Sequence, residues 1–151
     1  MHIGTNDLAH SECYDDAVYM GIIGVVEYIQ QQRPGSIIVV NSLLPRRDAT
    51  LVDEVKFYDT HKISNVNEVP QFKIWKSVKN VNQKLRQYCE QNKRNKKVVF
   101  FDATDIFLKK DDSGVEYIPR NLMWDFLHPS VAGYRAWAEK ITEVLDEIVD
   151  K

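Results

Sequence analysis

Ser36-Ile37-Ile38-Val39-Val40-Asn41 carries four β-branched residues in an unbroken run, without the alternation of a half-exposed strand. Such a run reads as a strand covered on both faces, the usual environment in a parallel sheet. Parallel neighbours need crossover connections, and the flanking sequence supplies them. Upstream, Val18, Ile22, Val25, Val26 and Ile29 recur at helical spacing, with Asp15 or Asp16 as the expected cap and Arg33-Pro34-Gly35 as the stop. Downstream, Ile74, Val78, Val81, Leu85 and Cys89 mark a second amphipathic helix, and Val98-Val99-Phe100-Phe101-Asp102 follows as the next buried strand. A long connection from Ala103 to Pro129 leads to a closing helix, with Ser130 as cap and Tyr134, Ala138, Ile141, Leu145 and Ile148 as its expected buried stripe. A strand stub at Met1-His2-Ile3, cut short by the turn residues Gly4-Thr5-Asn6-Asp7, opens the series. The order is strand, helix, strand, helix, strand, helix, an α/β three-layer pattern.

Composition bounds the function. At 151 residues, 44% apolar and 28% charged, the chain reads as one globular domain, 1–151, able to bury a core without disulfides or a structural metal. Cys13 and Cys89 form neither a C-x-x-C pair nor a disulfide framework. Twenty basic against 22 acidic side chains, net charge −2, argue against nucleic acid as a partner. The basic face of the second helix, Lys73, Lys76, Lys79, Lys84 and Arg86, has no interleaved surface aromatics and reads as a solvated face. The longest apolar run, Gly21 to Val26, is far too short to span a bilayer, and no secretory signal is visible.

Ligands in α/β sheets gather at the carboxyl ends of the strands, which directs attention to Gly4–Asp7, Asn41–Asp48 and Asp102–His128. Asp125-Phe126-Leu127-His128-Pro129 puts a carboxylate and an imidazole three residues apart on one turn. The carboxylate can accept one ring N–H, fix the tautomer and leave the other nitrogen to take a proton from a nucleophile. The same residues before a Pro-Ser helix start also serve as an ordinary capping turn. Metal ligation is disfavoured, since His2, His10 and His61 show no ligand spacing with the pair. In Gly4-Thr5-Asn6-Asp7 the glycine could let a ligand approach the backbone, and the Asn6 amide could donate to a developing oxyanion. Gly, Asn and Asp are also ordinary turn residues.

Together these blocks resemble the SGNH hydrolases, also called GDSL esterases and lipases, in colinear order over nearly the whole chain. Gly4-Thr5-Asn6-Asp7 is similar to the family's block with the oxyanion Asn, Leu44-Pro45 to the turn after its next strand, and Asp125-Phe126-Leu127-His128-Pro129 to its Asp-x-x-His block. Val81-Asn82-Gln83-Lys84-Leu85 also resembles that family, notably the platelet-activating-factor acetylhydrolase-like members. The resemblance implies a flavodoxin-like parallel sheet and a serine ester hydrolase without metal or organic cofactor. Asp125, His128 and Asn6 are then its catalytic residues, and small-molecule or carbohydrate acyl esters its substrates. The family's Gly-Asp-Ser nucleophile block has no counterpart here. Ser11, Ser36, Ser42, Ser64, Ser77, Ser113 and Ser130 lack its context, so the chain reads as the C-terminal part of such a domain, apparently truncated at the N-terminus. The alternative is a non-catalytic binding or scaffold module. Two geometric expectations follow: an Asp125 oxygen within about 3.5 Å of a His128 ring nitrogen, with Asn6 facing the same cleft, and Thr50–Pro70 bordering that cleft as a partial lid.

Overall fold

The structure, a computed structural model, describes residues 3–9, 14–46, 74–110, 112, 114 and 116–149. Its elements are α1 (Thr5–Ala9), α2 (Asp15–Gln32), β1 (Ile38–Asn41), α3 (Trp75–Lys96), β2 (Val98–Phe101), α4 (Thr104–Phe107), β3 (Lys109–Lys110), β4 (Glu116–Tyr117) and α5 (Val131–Val149). Two compact units form, one from Met1–Leu44 with Lys76–Ala103, the other from Pro45–Trp75 with Thr104–Lys151. Met1, His2, Cys13 and the Thr50–Pro70 connection lie outside the described residues.

In the first unit β1 and β2 pair in parallel, with Ile38 opposite Val98 and Asn41 opposite Phe101. The crossover helix α3 buries Val78, Val81, Leu85 and Cys89 of the expected stripe, whereas Ile74 precedes the helix and is half-buried. Helix α2 buries Val18, Ile22 and Val26 as expected, together with Ile23. Neither Asp15 nor Asp16 caps it. Tyr14 occupies that position in an extended conformation without a side-chain cap bond, and both aspartates sit in the first helical turn. There they complement the helix dipole and reach across to α3. Asp15 accepts from Asn80 Nδ2 at 2.9 Å, and Asp16 pairs with Lys84 Nζ. Part of the basic face of α3 is thus used internally, since Arg86 also pairs with Asp102 and lies 4.7 Å over the Phe100 ring.

Three expectations for this unit change. Ile3 is not in a strand, and Gly4-Thr5-Asn6-Asp7 does not form a simple turn: Thr5–Ala9 closes a short helix whose Leu8 N–H donates to Gly4 O at 3.2 Å. The double cover expected for β1 is incomplete. Val40 is buried, Ile38 and Val39 are half-buried and Ile37 is exposed, and a cavity of about 120 Å³ is lined by β1 and by the α2 residues Ile22, Val26 and Ile29. Finally, β2 ends at Phe101, and Asp102 turns outward to Arg86.

In the second unit the stretch between β2 and α5 is more ordered than its sequence suggests. It holds α4 and an antiparallel ladder pairing Lys109 with Tyr117. Around them Phe107, Ile118 and Met123 are fully buried. Helix α5 keeps Ile141 and Ile148 of the expected stripe half-buried and turns the rest of it outward. Tyr134, Ala138 and Leu145 are exposed, whereas Gly133 is buried and Trp137, Ile141, Val144 and Ile148 are half-buried. The inward stripe shares those two residues with the expected one and takes Gly133, Trp137 and Val144 in place of Tyr134, Ala138 and Leu145. Gly133 selects it, because its lack of a side chain lets the first turn of α5 sit directly on the Leu122 backbone, with Trp137 edge-on to Phe107 at 5.9 Å.

Candidate active site

Everything around Asp125 and His128 follows from how the chain turns between Pro119 and α5. Leu122 and Met123 N–H both donate to Pro119 O at 3.0 Å, closing a tight reversal, and Phe126 N–H donates to Met123 O at 3.1 Å. Met123 and Phe126 point inward and anchor this turn, and the Arg120 guanidinium lies 5.4 Å over the Phe126 ring. The turn ends at α5, where Ser130 acts as the expected cap. Its Oγ accepts from Gly133 N–H at 3.1 Å and donates to Asn121 O, while its own N–H donates to Leu122 O at 2.7 Å.

The Asp125 carboxylate meets three hydrogen-bonding partners within this frame. Oδ1 accepts from Leu127 N–H at 2.9 Å and His128 N–H at 2.7 Å, and Oδ2 lies 2.7 Å from His128 Nδ1, inside the 3.5 Å expected of the pair. Burial pushes the carboxyl upward. The backbone N–H and ring of His128, then the Leu127 N–H, more than offset that, so Asp125 titrates below the usual carboxylate range. It is therefore ionised at neutral pH and can only accept hydrogen bonds, which requires the proton on Nδ1 of a neutral His128 ring. The Asp125 side chain is 13% exposed and that of His128 is 69% exposed. The turn thus holds a fixed carboxylate behind an imidazole that solutes can reach, an arrangement able to accept and return a proton.

Asn6 is exposed at the second position of α1, in the first unit, whereas Asp125 and His128 belong to the second. Gly4 has a packing reason to be glycine. It sits at φ +101°, and a Cβ there would lie 3.0 Å from Val18 Cγ1 and 3.1 Å from Ile22 Cδ1, so its open side faces α2 rather than a ligand path. The cavity beside it, about 270 Å³ and lined by Ile3, Asp7 and Val18 among others, includes neither Asp125 nor His128.

Other polar residues shape the strand ends. Asn82, buried in α3, grips the backbone of Leu43: Leu43 N–H donates to Asn82 Oδ1 at 2.7 Å and Asn82 Nδ2 donates to Leu43 O at 2.9 Å. Ser42 Oγ accepts from Ala103 N–H at 2.9 Å, linking the ends of β1 and β2. Ser42 and Ser130 are therefore committed to structure, and Ser77 bonds Asp15. Cys89 is no substitute nucleophile, because burial pushes its thiol up to about 11. A polar Asn inside an apolar helix stripe is the one sequence signal that points to the clamp. Phe126 carries none, since nothing about a phenylalanine announces its backbone at φ +59°.

The model of the family described as GDSL-like lipase/acylhydrolase matches residues 1–136. Comparison with curated proteins returns no match. Among solved structures, the chain is similar to a Bacteroides fragilis protein described as an acylhydrolase, with 18% identity and a TM-score of 0.68 over 97% of this chain and 60% of that one. A GDSL-like lipase from Bacteroides thetaiotaomicron gives 16% identity and a TM-score of 0.65, over 97% and 60% of the two chains. A Streptococcus pneumoniae protein described as a platelet activating factor gives 21% and 0.62, over 95% and 57%. These likenesses identify an α/β fold of the GDSL/SGNH hydrolase type, and the chain spans about three-fifths of the length of these structures.

Proposed function

Because the chain belongs to the GDSL-like lipase/acylhydrolase family, we propose that it carries the acid–base part of an SGNH-type ester hydrolase whose serine lies outside Met1–Lys151. In this reading His128 takes the serine proton as the serine oxygen bonds to the acyl carbon, giving a tetrahedral oxyanion. His128 then returns that proton to the alcohol oxygen as the ester C–O bond breaks, leaving an acyl-enzyme. Water repeats the cycle and releases the acid. Asp125 holds Nδ1–H, so that Nε2 is the nitrogen exchanging the proton, and its charge stabilises the imidazolium. Asn6 donates its side-chain amide to the oxyanion. Small-molecule and carbohydrate acyl esters are the substrates.

The observation that supports this most is the 2.7 Å contact between a largely buried carboxylate and an exposed imidazole. The competing reading, a non-catalytic scaffold, draws on the structural commitments of Ser42, Ser77 and Ser130. A fluorophosphonate probe, which labels only activated serines, separates the two. Chain 1–151 should stay unlabelled, and the chain extended by its upstream coding sequence should label at one serine, with loss of labelling in His128→Ala. An extended chain that stays unlabelled, or labels equally without His128, rejects the hydrolase reading.

A further inference from the structure

Two described non-glycine residues have positive φ, Lys97 at 48° and Phe126 at 59°. Lys97 follows the last residue of α3, where a left-handed residue commonly ends a helix. Phe126 has no such explanation. An aromatic residue in this region is disfavoured, and a disfavoured backbone persists only where its surroundings hold it.

Those surroundings are visible. Phe126 is 6% exposed as a residue, its ring lies under the Arg120 guanidinium, and its backbone is tied to Met123 O. What the left-handed residue achieves is equally visible, because it stands immediately after Asp125. By reversing the chain there it brings the N–H groups of Leu127 and His128 onto one carboxylate oxygen and the His128 ring onto the other. We infer that Phe126 is a positioning residue, whose buried ring holds a left-handed backbone that aims His128 Nδ1 at Asp125. The inference rests on the hydrolase reading for its purpose, but the geometry it concerns belongs to this chain alone.

Glycine and alanine at position 126 leave nearly the same void and differ chiefly in their access to positive φ. The readout is the tautomer of neutral His128, taken from its ring ¹⁵N shifts in chain 1–151. Asp125 requires Nδ1–H, and a ring released from it loses that constraint. Phe126→Gly should keep the Nδ1–H signature of the wild type and Phe126→Ala should lose it. Phe126→Leu, which preserves the apolar anchor, should keep it and also provides a reading if the two truncations do not fold. A residue that merely fills space predicts the same tautomer in Gly and Ala. Equal behaviour of that pair, the reverse order, or loss of the signature in Phe126→Leu overturns the inference. No ester turnover is needed, so a failure here leaves the hydrolase reading intact, and an inactive hydrolase leaves the tautomer readings unchanged.

Discussion

Replacing Gly133 by alanine sets two opposing effects against each other at the foot of the candidate site. Alanine is favoured over glycine inside a helix by about 1 kcal/mol. At Gly133, however, the new Cβ would stand 3.0 Å from Phe107 Cε1 and closer still to the Leu122 backbone oxygen. A backbone oxygen cannot swing aside as a flexible side chain does, so the first turn of α5 must lift. Overpacking of this kind costs about 1–3 kcal/mol, and the rigid neighbour puts the cost at the upper end. The Ser130 N–H bond to Leu122 O is strained by the same movement, a further loss of about 1 kcal/mol. The net is destabilisation by about 3 kcal/mol, a fall in Tm of about 6–12 °C at this chain length. Gly24 is the control, because a Cβ there meets nothing within 4 Å. Gly24→Ala should raise stability by about 0.5–1 kcal/mol. Urea and thermal unfolding of both variants read the two signs. If Gly133→Ala were as stable as the wild type, or moved in the same direction as Gly24→Ala, the account of how α5 seats on the turn would be wrong.

Asn82→Ala should cost about 2–4 kcal/mol in urea unfolding, since it strips partners from two buried backbone groups of Leu43 at about 1–2 kcal/mol each. Asn82→Asp keeps the acceptor for Leu43 N–H but turns a second oxygen towards Leu43 O, so its deficit against the wild type should narrow at acid pH, where the protonated carboxyl can donate again. Asp125 and Asp15 both titrate below the ordinary carboxylate value; for Asp15 the upward push of burial is outweighed chiefly by hydrogen bonds from Asn80 and Ser77. A carboxyl lowered in the folded state contributes stability that is complete above its unfolded value, about 3.9, and is lost as pH falls through the folded one. Urea midpoints of the wild type should therefore hold steady as pH falls from 7 towards 5 on account of these groups and drop below about 4, with a shallower acid limb in Asp15→Asn.

The fold is legible wherever one residue type repeats at a fixed spacing. The β-branched run at 37–40 and the apolar Val-Val-Phe-Phe run at 98–101 announce a parallel pair, and the Val78, Val81, Leu85 stripe announces the inward face of α3, because burial on a regular element imposes its period on the sequence. Helix α5 follows the same reading only at Ile141 and Ile148, for a related reason. The Tyr134 and Trp137 stripes have the same spacing, and only the packing of Gly133 on Leu122 chooses between them. Elements as short as α4, β3 and β4 contain too few residues to show a period at all. At the site, the i, i+3 spacing of Asp125 and His128 conveys that they can meet. It conveys nothing of the left-handed Phe126 between them or of the Asn82 clamp, since both depend on a backbone course set by tertiary packing.

In the proposed hydrolase, His128, held by Asp125, moves the proton in ester cleavage. The direct measurement is kcat/KM for p-nitrophenyl acetate with the chain extended by its upstream coding sequence, in the wild type, His128→Ala and Asp125→Asn. His128→Ala should lose about 10⁴-fold, and Asp125→Asn, which leaves the imidazole without its orienting charge, should lose a comparable amount. Rates in both variants within a few-fold of the wild type would contradict that role for His128.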